Sequence, residues 1–394
     1  MSQALDDTAI GDLMRRGDVP GLALALVGAG GVERVAYCGV RSTRTRVPVD
    51  DRTIFEAASL TKPVFAAAVL RLVASGALSL ETRLADHVPD YIPTDPRAAS
   101  ITVAHALSHS GGLPNWSNPD RPLRTYFAPG ERFSYSGEGF VWLQKAVEAI
   151  TGETADALVE RLVLAPLGMT DTSLVWQKRF AAMRAEPHNS TLVPRLPFKP
   201  GEANVAYSLQ TTAADYARFL RAVLRDDREW LVPRIAVRHR GHECLEPTFD
   251  DVETGVAWGL GWGVEPAHGT FFHWGDNGTF KCFTLGAPAA QRALVVFTNG
   301  NNGLAIMPDL VASFFPGARP SLAWLDYERH DSPRRRFLKD ALARGLEPAW
   351  AARDPALDAD SLRNTARELD AYGRIADAQA LKQCAQELTQ ADKR

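Results

Sequence analysis

The size, composition and charge of the chain indicate an ordinary globular protein. Its 394 residues are enough for two or three domains, and 45% hydrophobic with 23% charged residues is typical of water-soluble proteins. A formal net charge of −3 argues against nucleic acid as the main partner. No apolar stretch is long enough to span a bilayer, and the residues after Met1 do not resemble a signal peptide. We therefore expect a cytoplasmic protein, or a periplasmic one whose leader has been removed.

The N-terminal part predicts a helix followed by a β-hairpin. Residues 5–17 have the spacing of an amphipathic helix. Two apolar runs, 22–27 and 32–38, flank a glycine-rich turn and have the pattern of paired strands. A less regular stretch then leads to the first candidate site.

That first candidate site is a serine and a lysine three residues apart. Ser59 and Lys62 come just before an apolar run, 64–73, which predicts a buried helix. Their spacing places both side chains on one face at the start of that helix. A serine is a weak nucleophile until a base takes its proton, and a lysine can be that base where burial or nearby positive charge lowers its pKa. The same spacing also occurs by chance beside solvated lysines, so the pair alone does not decide between these interpretations.

Further along, the chain changes from helices to strands. Helical patterns and loops rich in proline and glycine dominate residues 80–250, and one such loop carries Tyr135. Strand patterns then return. The predicted elements of this last part are three strands and one helix, at 270–274, 280–285, 292–298 and 304–314.

This order predicts an α/β protein in three parts. Strands at both ends imply one discontinuous sheet domain, 1–80 and 255–320, with a mostly helical domain at 81–254 and a cleft between them. Residues 321–394 predict a C-terminal helical extension. One segment of it, 369–381, is similar to a tetratricopeptide unit, but a single unit does not predict a repeat.

Three short motifs stand in a recognisable order. Ser59-x-x-Lys62 comes first, Tyr135-Ser136-Gly137 follows in the helical part, and His273-Trp274-Gly275 lies on a returning strand. This order resembles the penicillin-recognising serine enzymes, which comprise class C β-lactamases, D-alanyl-D-alanine carboxypeptidases and related esterases. The resemblance covers roughly residues 10–318. It implies the β-lactamase/transpeptidase-like fold, an antiparallel sheet flanked by helices with an inserted helical domain.

The resemblance also implies a role for each catalytic residue. Ser59 would attack a carbonyl carbon and form an acyl-enzyme, while Lys62 and Tyr135 would share the proton transfers. The ammonium group of Lys62 would favour a Tyr135 phenolate, but which of the two is the base stays open. The backbone N–H groups of Ser59 and Asp276 would bind the oxyanion.

Two departures from the family pattern bear on the substrate. Gly137 supplies no side-chain amide, and His273 replaces a lysine, so recognition of a substrate carboxylate is weakened unless Lys281 or an arginine compensates. Trp274 replaces a small hydroxyl residue and should make the cleft narrow and dry. Four tryptophans belong to these stretches, Trp116, Trp258, Trp262 and Trp274. We expect about half of them to be core residues and the rest to line the cleft, which would favour an apolar substrate group. The predicted substrate-binding residues are His273, Trp274, Gly275, Gly137 and Trp116.

The leading functional hypothesis is a serine hydrolase that cleaves a small ester or amide. A D-alanyl-D-alanine carboxypeptidase or β-lactamase is the alternative within the enzymes, and an acyltransferase or a ligand-binding module is the alternative outside the hydrolases. No metal or organic cofactor is implied, because nucleophile and base are side chains, and His105 with His109 lacks a third metal ligand. The C-terminal helices suggest a protein partner or self-association.

Overall fold

The fold is described from a computed structural model that covers residues 5–225 and 229–391. The ends of the predicted first and last parts, residues 1–4 and 392–394, lie outside the described residues. No described helix is both long enough and apolar enough to cross a membrane.

The centre of the molecule is an eight-stranded antiparallel sheet with the order β2-β1-β10-β9-β8-β7-β6-β5. A separate two-stranded sheet pairs β3 with β4. The predicted hairpin and the three predicted C-terminal strands are confirmed. The strands are β1 Gly21–Gly28, β2 Gly31–Gly39, β3 Phe55–Glu56, β4 Gln210–Thr211, β5 Ile235–Ala236, β6 Ala257–Trp258, β7 Gly263–Glu265, β8 Thr270–Asp276, β9 Lys281–Ala287 and β10 Arg292–Thr298.

Helices cover the sheet and fill the middle of the chain. They are α1 Asp7–Gly17, α2 Thr61–Ala74, α3 Val103–Leu107, α4 Gly137–Thr151, α5 Ala155–Val159, α6 Ala165–Leu167, α7 Ala213–Arg225, α8 Met307–Phe314, α9 Pro320–Leu325, α10 Pro333–Arg344, α11 Leu346–Ala351, α12 Ala359–Ala371 and α13 Ile375–Ala391. A turn of π-helix joins α5 to α6. Thr212 caps α7, because its hydroxyl accepts a hydrogen bond from the backbone N–H of Asp215.

Every residue of β1 is buried, because helices lie on both faces of the sheet. Side chains alternate along a strand, so Leu22 and Leu24 belong to the core beneath α1 and α8. Ala23 and Ala25 point the other way and belong to the core shared with α2 and α7. The first candidate site lies on this second side, at the start of α2.

One strand departs from the predicted division of the chain. β5 lies within residues 81–254, which we expected to be mostly helical, yet it pairs with β6 at the edge of the main sheet. Two residues are too few to show an alternating pattern, so no sequence signal indicates this strand. The boundaries of the three parts remain predictions.

The C-terminal extension consists of helices, as predicted, but it does not begin as an exposed segment. Trp324 of α9 is only 5% exposed and packs against Trp274 and Trp258 of the sheet, at ring-centroid distances of 5.5 and 6.3 Å. Its indole N–H donates to the backbone carbonyl of His239 at 3.2 Å. Helices α10–α13 then form a small hydrophobic core of their own.

Because Trp324 fixes the extension to the sheet, Trp324→Ala should lower the free energy of unfolding by about 3 to 5 kcal/mol. The measurement is urea denaturation monitored by circular dichroism. Trp116→Ala is the matched control, because Trp116 is 41% exposed and its removal should cost only about 1 kcal/mol. Equal losses for the two variants would show that Trp324 does not fix the extension.

Candidate active site

Ser59 lies in a tight turn that connects β3 to α2. Residues Ala58–Leu60 form one turn of 3-10 helix, so Ser59 precedes the α-helix rather than lying in its first turn. Ala58 adopts a left-handed backbone conformation with φ of 46°, which is strained for a residue with a side chain. The turn is held in place because the Thr61 hydroxyl donates to the carbonyl of Ala58 and accepts from the N–H of Leu209.

Lys62 lies directly behind Ser59, on the same face as predicted. Its Nζ atom is 3.0 Å from Ser59 Oγ and donates to the backbone carbonyl of Ala206 at 2.8 Å. The side chain is 1% exposed and its Nζ atom lies over the rings of Tyr135 and Phe140, at 4.7 and 5.7 Å. This burial lowers the pKa of Lys62 well below its ordinary value, so the lysine is held towards its neutral amine.

Tyr135 completes the group from the helical part of the chain. Its backbone N–H donates to the carbonyl of His242, and its ring packs at a tilt of 30° against the buried His109 with a centroid distance of 4.2 Å. Burial raises the pKa of the Tyr135 phenol well above its ordinary value, and the neighbouring Ser59 hydroxyl opposes this only in part. Both shifts favour the uncharged forms, a phenol beside an amine, and the choice of base between the two stays a prediction.

The third motif passes close to the Ser59 turn along the edge of β8. A Cβ atom at Gly275 would lie 2.6 Å from the carbonyl oxygen of Ala57 and 2.3 Å from Cys282 Sγ, so only glycine permits this approach. The strand then ends at Asp276, which lines the same cavity as Ser59. Asp276 and Ser59 therefore line one cavity, while the oxyanion contact of their backbone N–H groups stays a prediction.

His273 does not lie where we expected it. Its side chain is fully buried, with Nδ1 2.7 Å from the carbonyl oxygen of Trp274 and its ring 6.0 Å from that of Tyr135. Burial, and secondarily the charge of Lys62, lowers the pKa of His273 to about 3, so the ring is uncharged at neutral pH. It packs behind Tyr135 and Trp274 and is not one of the cavity-lining residues.

These elements surround a cavity of about 550 Å³ that opens to the surface. Of the four tryptophans, Trp116 and Trp274 line it, although Trp274 is also a core residue at 4% exposure, as Trp258 and Trp262 are. The residues that line the cavity are Glu56, Ser59, Asn115, Trp116, Tyr135, Pro187, Leu196, Phe198, Tyr207, His242, Trp274, Asp276, Asn277, Thr279 and Tyr327.

Gly137 is covered by an aromatic ring. A Cβ atom at Gly137 would lie 2.6 Å from the indole of Trp116, which itself packs edge-on against Tyr207 at 5.7 Å. The space that a longer side chain at position 137 would need is therefore occupied by an apolar group. Gly137 contributes to the site by making room for Trp116.

Lys281 cannot supply the missing positive charge. Its side chain is 7% exposed and forms an ion pair with Asp276, whose side chain is 26% exposed. The suggested compensation by Lys281 is therefore wrong, because its ammonium group is paired with Asp276 and Lys281 is not one of the residues that line the cavity.

Several residues of this site have no role predicted from the sequence. Glu56 lies three residues before Ser59, and burial raises its pKa to about 7. Its position next to the candidate nucleophile was a signal that could have been used. Tyr327 enters from the C-terminal extension, and no local pattern indicates its contact with Asp276.

Comparison with known proteins agrees with this geometry. Residues 7–311 match the Beta-lactamase family. Penicillin-binding protein 4 of Amycolatopsis lactamdurans is 27% identical over 323 residues, which are 74% of this chain and 84% of that protein. Esterase EstB of Burkholderia gladioli is 35% identical over 158 residues, which are 32% of this chain and 40% of the esterase.

A solved structure shows the same fold. The octameric penicillin-binding protein homologue from Pyrococcus abyssi superimposes with a TM-score of 0.66 at 23% identity, over 84% of this chain and 80% of that one. The predicted β-lactamase/transpeptidase-like fold is thus confirmed. Because the family match spans most of the sequence, including all three motifs, the chain belongs to the β-lactamase family.

Proposed function

We propose that this protein is a serine hydrolase that cleaves a small ester or amide through an acyl-enzyme on Ser59. The observation that carries the proposal is the buried Lys62 amine, 3.0 Å from Ser59 Oγ at one wall of an open cavity. An uncharged amine at hydrogen-bond distance is the arrangement that a general base for serine requires.

Acylation then needs one proton to pass through two groups. Ser59 Oγ bonds to the carbonyl carbon while its proton moves to Lys62 Nζ. As the bond to the leaving alcohol or amine breaks, the Tyr135 phenol donates its proton to the leaving atom and recovers one from the Lys62 ammonium group. The raised pKa of Tyr135 keeps it protonated before this transfer, and the lowered pKa of Lys62 favours the uncharged form that can accept a proton. Negative charge on the carbonyl oxygen is stabilised by the backbone N–H groups of Ser59 and Asp276.

Deacylation reverses the proton path with water in place of the leaving group. Water gives its proton to the unit of Lys62 and Tyr135 as it attacks the ester carbonyl. That unit returns a proton to Ser59 Oγ as the acid leaves. An added amine or alcohol that captures the acyl group faster than water would indicate an acyltransferase instead.

Two features favour esters over penicillins and peptides with a free C-terminus. The Trp116 indole covers Gly137, so this wall is apolar instead of offering an amide. His273 is buried and uncharged, so it gives a substrate carboxylate no positive partner. The partial match to Esterase EstB points in the same direction. Rapid turnover of nitrocefin would favour a β-lactamase or carboxypeptidase.

Replacing the nucleophile is the most direct kinetic test. Ser59→Ala should lower kcat/KM for a short-chain aryl ester at least about a thousandfold, because no other group can form the acyl-enzyme. Steady-state hydrolysis measures the effect.

The matched control removes a different hydroxyl near the cleft. Ser117→Ala deletes a hydroxyl that donates to Glu138 and does not line the cavity, so it should keep activity within about threefold. Activity that survives Ser59→Ala would overturn the proposed function.

The neutral state of Lys62 predicts a characteristic pH dependence of stability. A lysine whose pKa is lowered by folding binds fewer protons in the folded than in the unfolded state, so folding becomes more favourable as pH rises towards the ordinary value of 10.5. Lys62→Met removes this dependence. The free energy of unfolding of Lys62→Met minus that of the natural protein should therefore decrease by about 1.4 kcal/mol for each unit that the pH rises, from neutral to alkaline pH.

Chemical denaturation at several pH values measures this slope. Lys62→Met should also abolish ester hydrolysis, whereas Lys145→Met, at an exposed lysine of α4, should retain it. A difference in stability that stays constant with pH would mean that Lys62 is charged in the folded protein and is not the base.

A further inference from the structure

The segment 319–330 follows the part of the chain that matches the family and is fixed beside the active site. Near its start, Glu265, which is fully buried, accepts from the N–H of Ser321 at 2.9 Å. Near its end, the side chains of Arg329 and His330 bond to Asp309 of α8 at 3.1 and 2.9 Å. With Trp324 packed on the sheet, contacts before and after Tyr327 hold it against the cavity.

Tyr327 orients the acidic side chain at the end of β8. Its hydroxyl donates to Asp276 Oδ2 at 2.8 Å, while Oδ1 accepts from the N–H of Gly278 at 2.7 Å and pairs with Lys281. Burial alone would raise the pKa of Asp276, but Lys281 and these donors together hold it below its ordinary value. Asp276 is therefore a fixed anion at neutral pH.

The cavity offers acids and no strong cation. Among the described residues that line it, Glu56 and Asp276 are the carboxylates, and there is no lysine or arginine. His242 is the only histidine in that set, and burial lowers its pKa. Lys281 pairs with Asp276 and is only 7% exposed, and of the two residues only Asp276 is among those that line the cavity.

We propose that Asp276, held in place by Tyr327, is a charge-selective element that makes this site reject acyl substrates with a carboxylate beside the third motif and accept uncharged ones. This inference rests on the proposed function and names its substrate class, neutral esters or amides. The ring of Tyr327 and the indole of Trp274, which both line the cavity, form an apolar wall for the uncharged group.

The physical reason is repulsion between like charges in a partly enclosed space. Coulomb interactions are several times stronger near a partly buried site than in bulk water. A substrate carboxylate would lose hydration on entering and would find an oriented anion instead of a cation. An amide of the same shape would pay neither penalty.

The test compares two nearly isosteric aryl esters, para-acetoxybenzoate and para-acetoxybenzamide, together with their meta isomers. Each kcat/KM is divided by the rate of hydrolysis by hydroxide, which removes the difference in intrinsic reactivity. The natural protein should prefer the benzamide at least about tenfold, equivalent to about 1.4 kcal/mol. Asp276→Asn should reduce this preference to within about twofold, and Tyr327→Phe should reduce it about threefold.

Two further variants keep the test decisive. Asp276→Asn leaves Lys281 without its partner, so Asp276→Asn/Lys281→Met is made as well and should lose the preference in the same way. Asp326→Asn is the matched control. It removes an exposed acid next to Tyr327 that does not line the cavity, and asparagine suits its left-handed backbone. The preference should be unchanged in this variant.

The outcomes separate the two proposals. Hydrolysis of both esters without a preference in the natural protein, or a preference that survives both Asp276 variants, would overturn the charge selectivity and leave the proposed function standing. Hydrolysis of neither ester by the natural protein would overturn the proposed function, and the charge selectivity with it.

Discussion

The burial of one amine beside one hydroxyl is the constraint on which the site depends. A charged lysine at the position of Lys62 would have to leave water without an anion near it, which is strongly unfavourable. Nearly complete burial, with hydrogen bonds to the uncharged Ser59 hydroxyl and Ala206 carbonyl, therefore lowers the pKa of Lys62 and favours the neutral amine. The same burial that makes the ammonium form of Lys62 unfavourable leaves an amine that can accept the proton of Ser59.

The rest of the fold brings distant parts of the chain to that pair. The turn that carries Ser59 rests against β8, where Gly275 permits a close approach. Tyr135 comes from the helical part and Tyr327 from beyond the family domain. The interior strand β8 thus brings together groups from four segments, which is a more exact support than flexible loops would give.

The sequence predicts the parts of this arrangement that depend on short-range pattern. Short apolar runs locate β8 to β10, and the spacing of Ser59 and Lys62 places the two side chains together, since both depend on local sequence. The same reasoning fails for β5, which is too short to show a period, and for the side chain of His273, whose direction depends on packing between layers.

Contacts between distant segments are the other limit. The pairing of Lys281 with Asp276, and the hydrogen bond from Tyr327, join residues whose proximity only the folded sheet decides. From the sequence alone, Lys281 is a candidate cation for the cleft. In the structure it is paired with Asp276, and the charged residue that lines the cavity there is the acid. A motif therefore predicts which chemistry is present, but the charge of the surrounding wall, and hence the choice of substrate, needs the tertiary structure.

The most direct test of the central claim is the intact mass of the protein, with peptide mapping, after brief exposure to an activated ester and rapid acid quench. A covalent acyl intermediate predicts a mass increase of one acyl group, located on the peptide that contains Ser59 and absent from Ser59→Ala. Ester turnover without any trapped adduct, or an adduct located on another residue, would contradict the account.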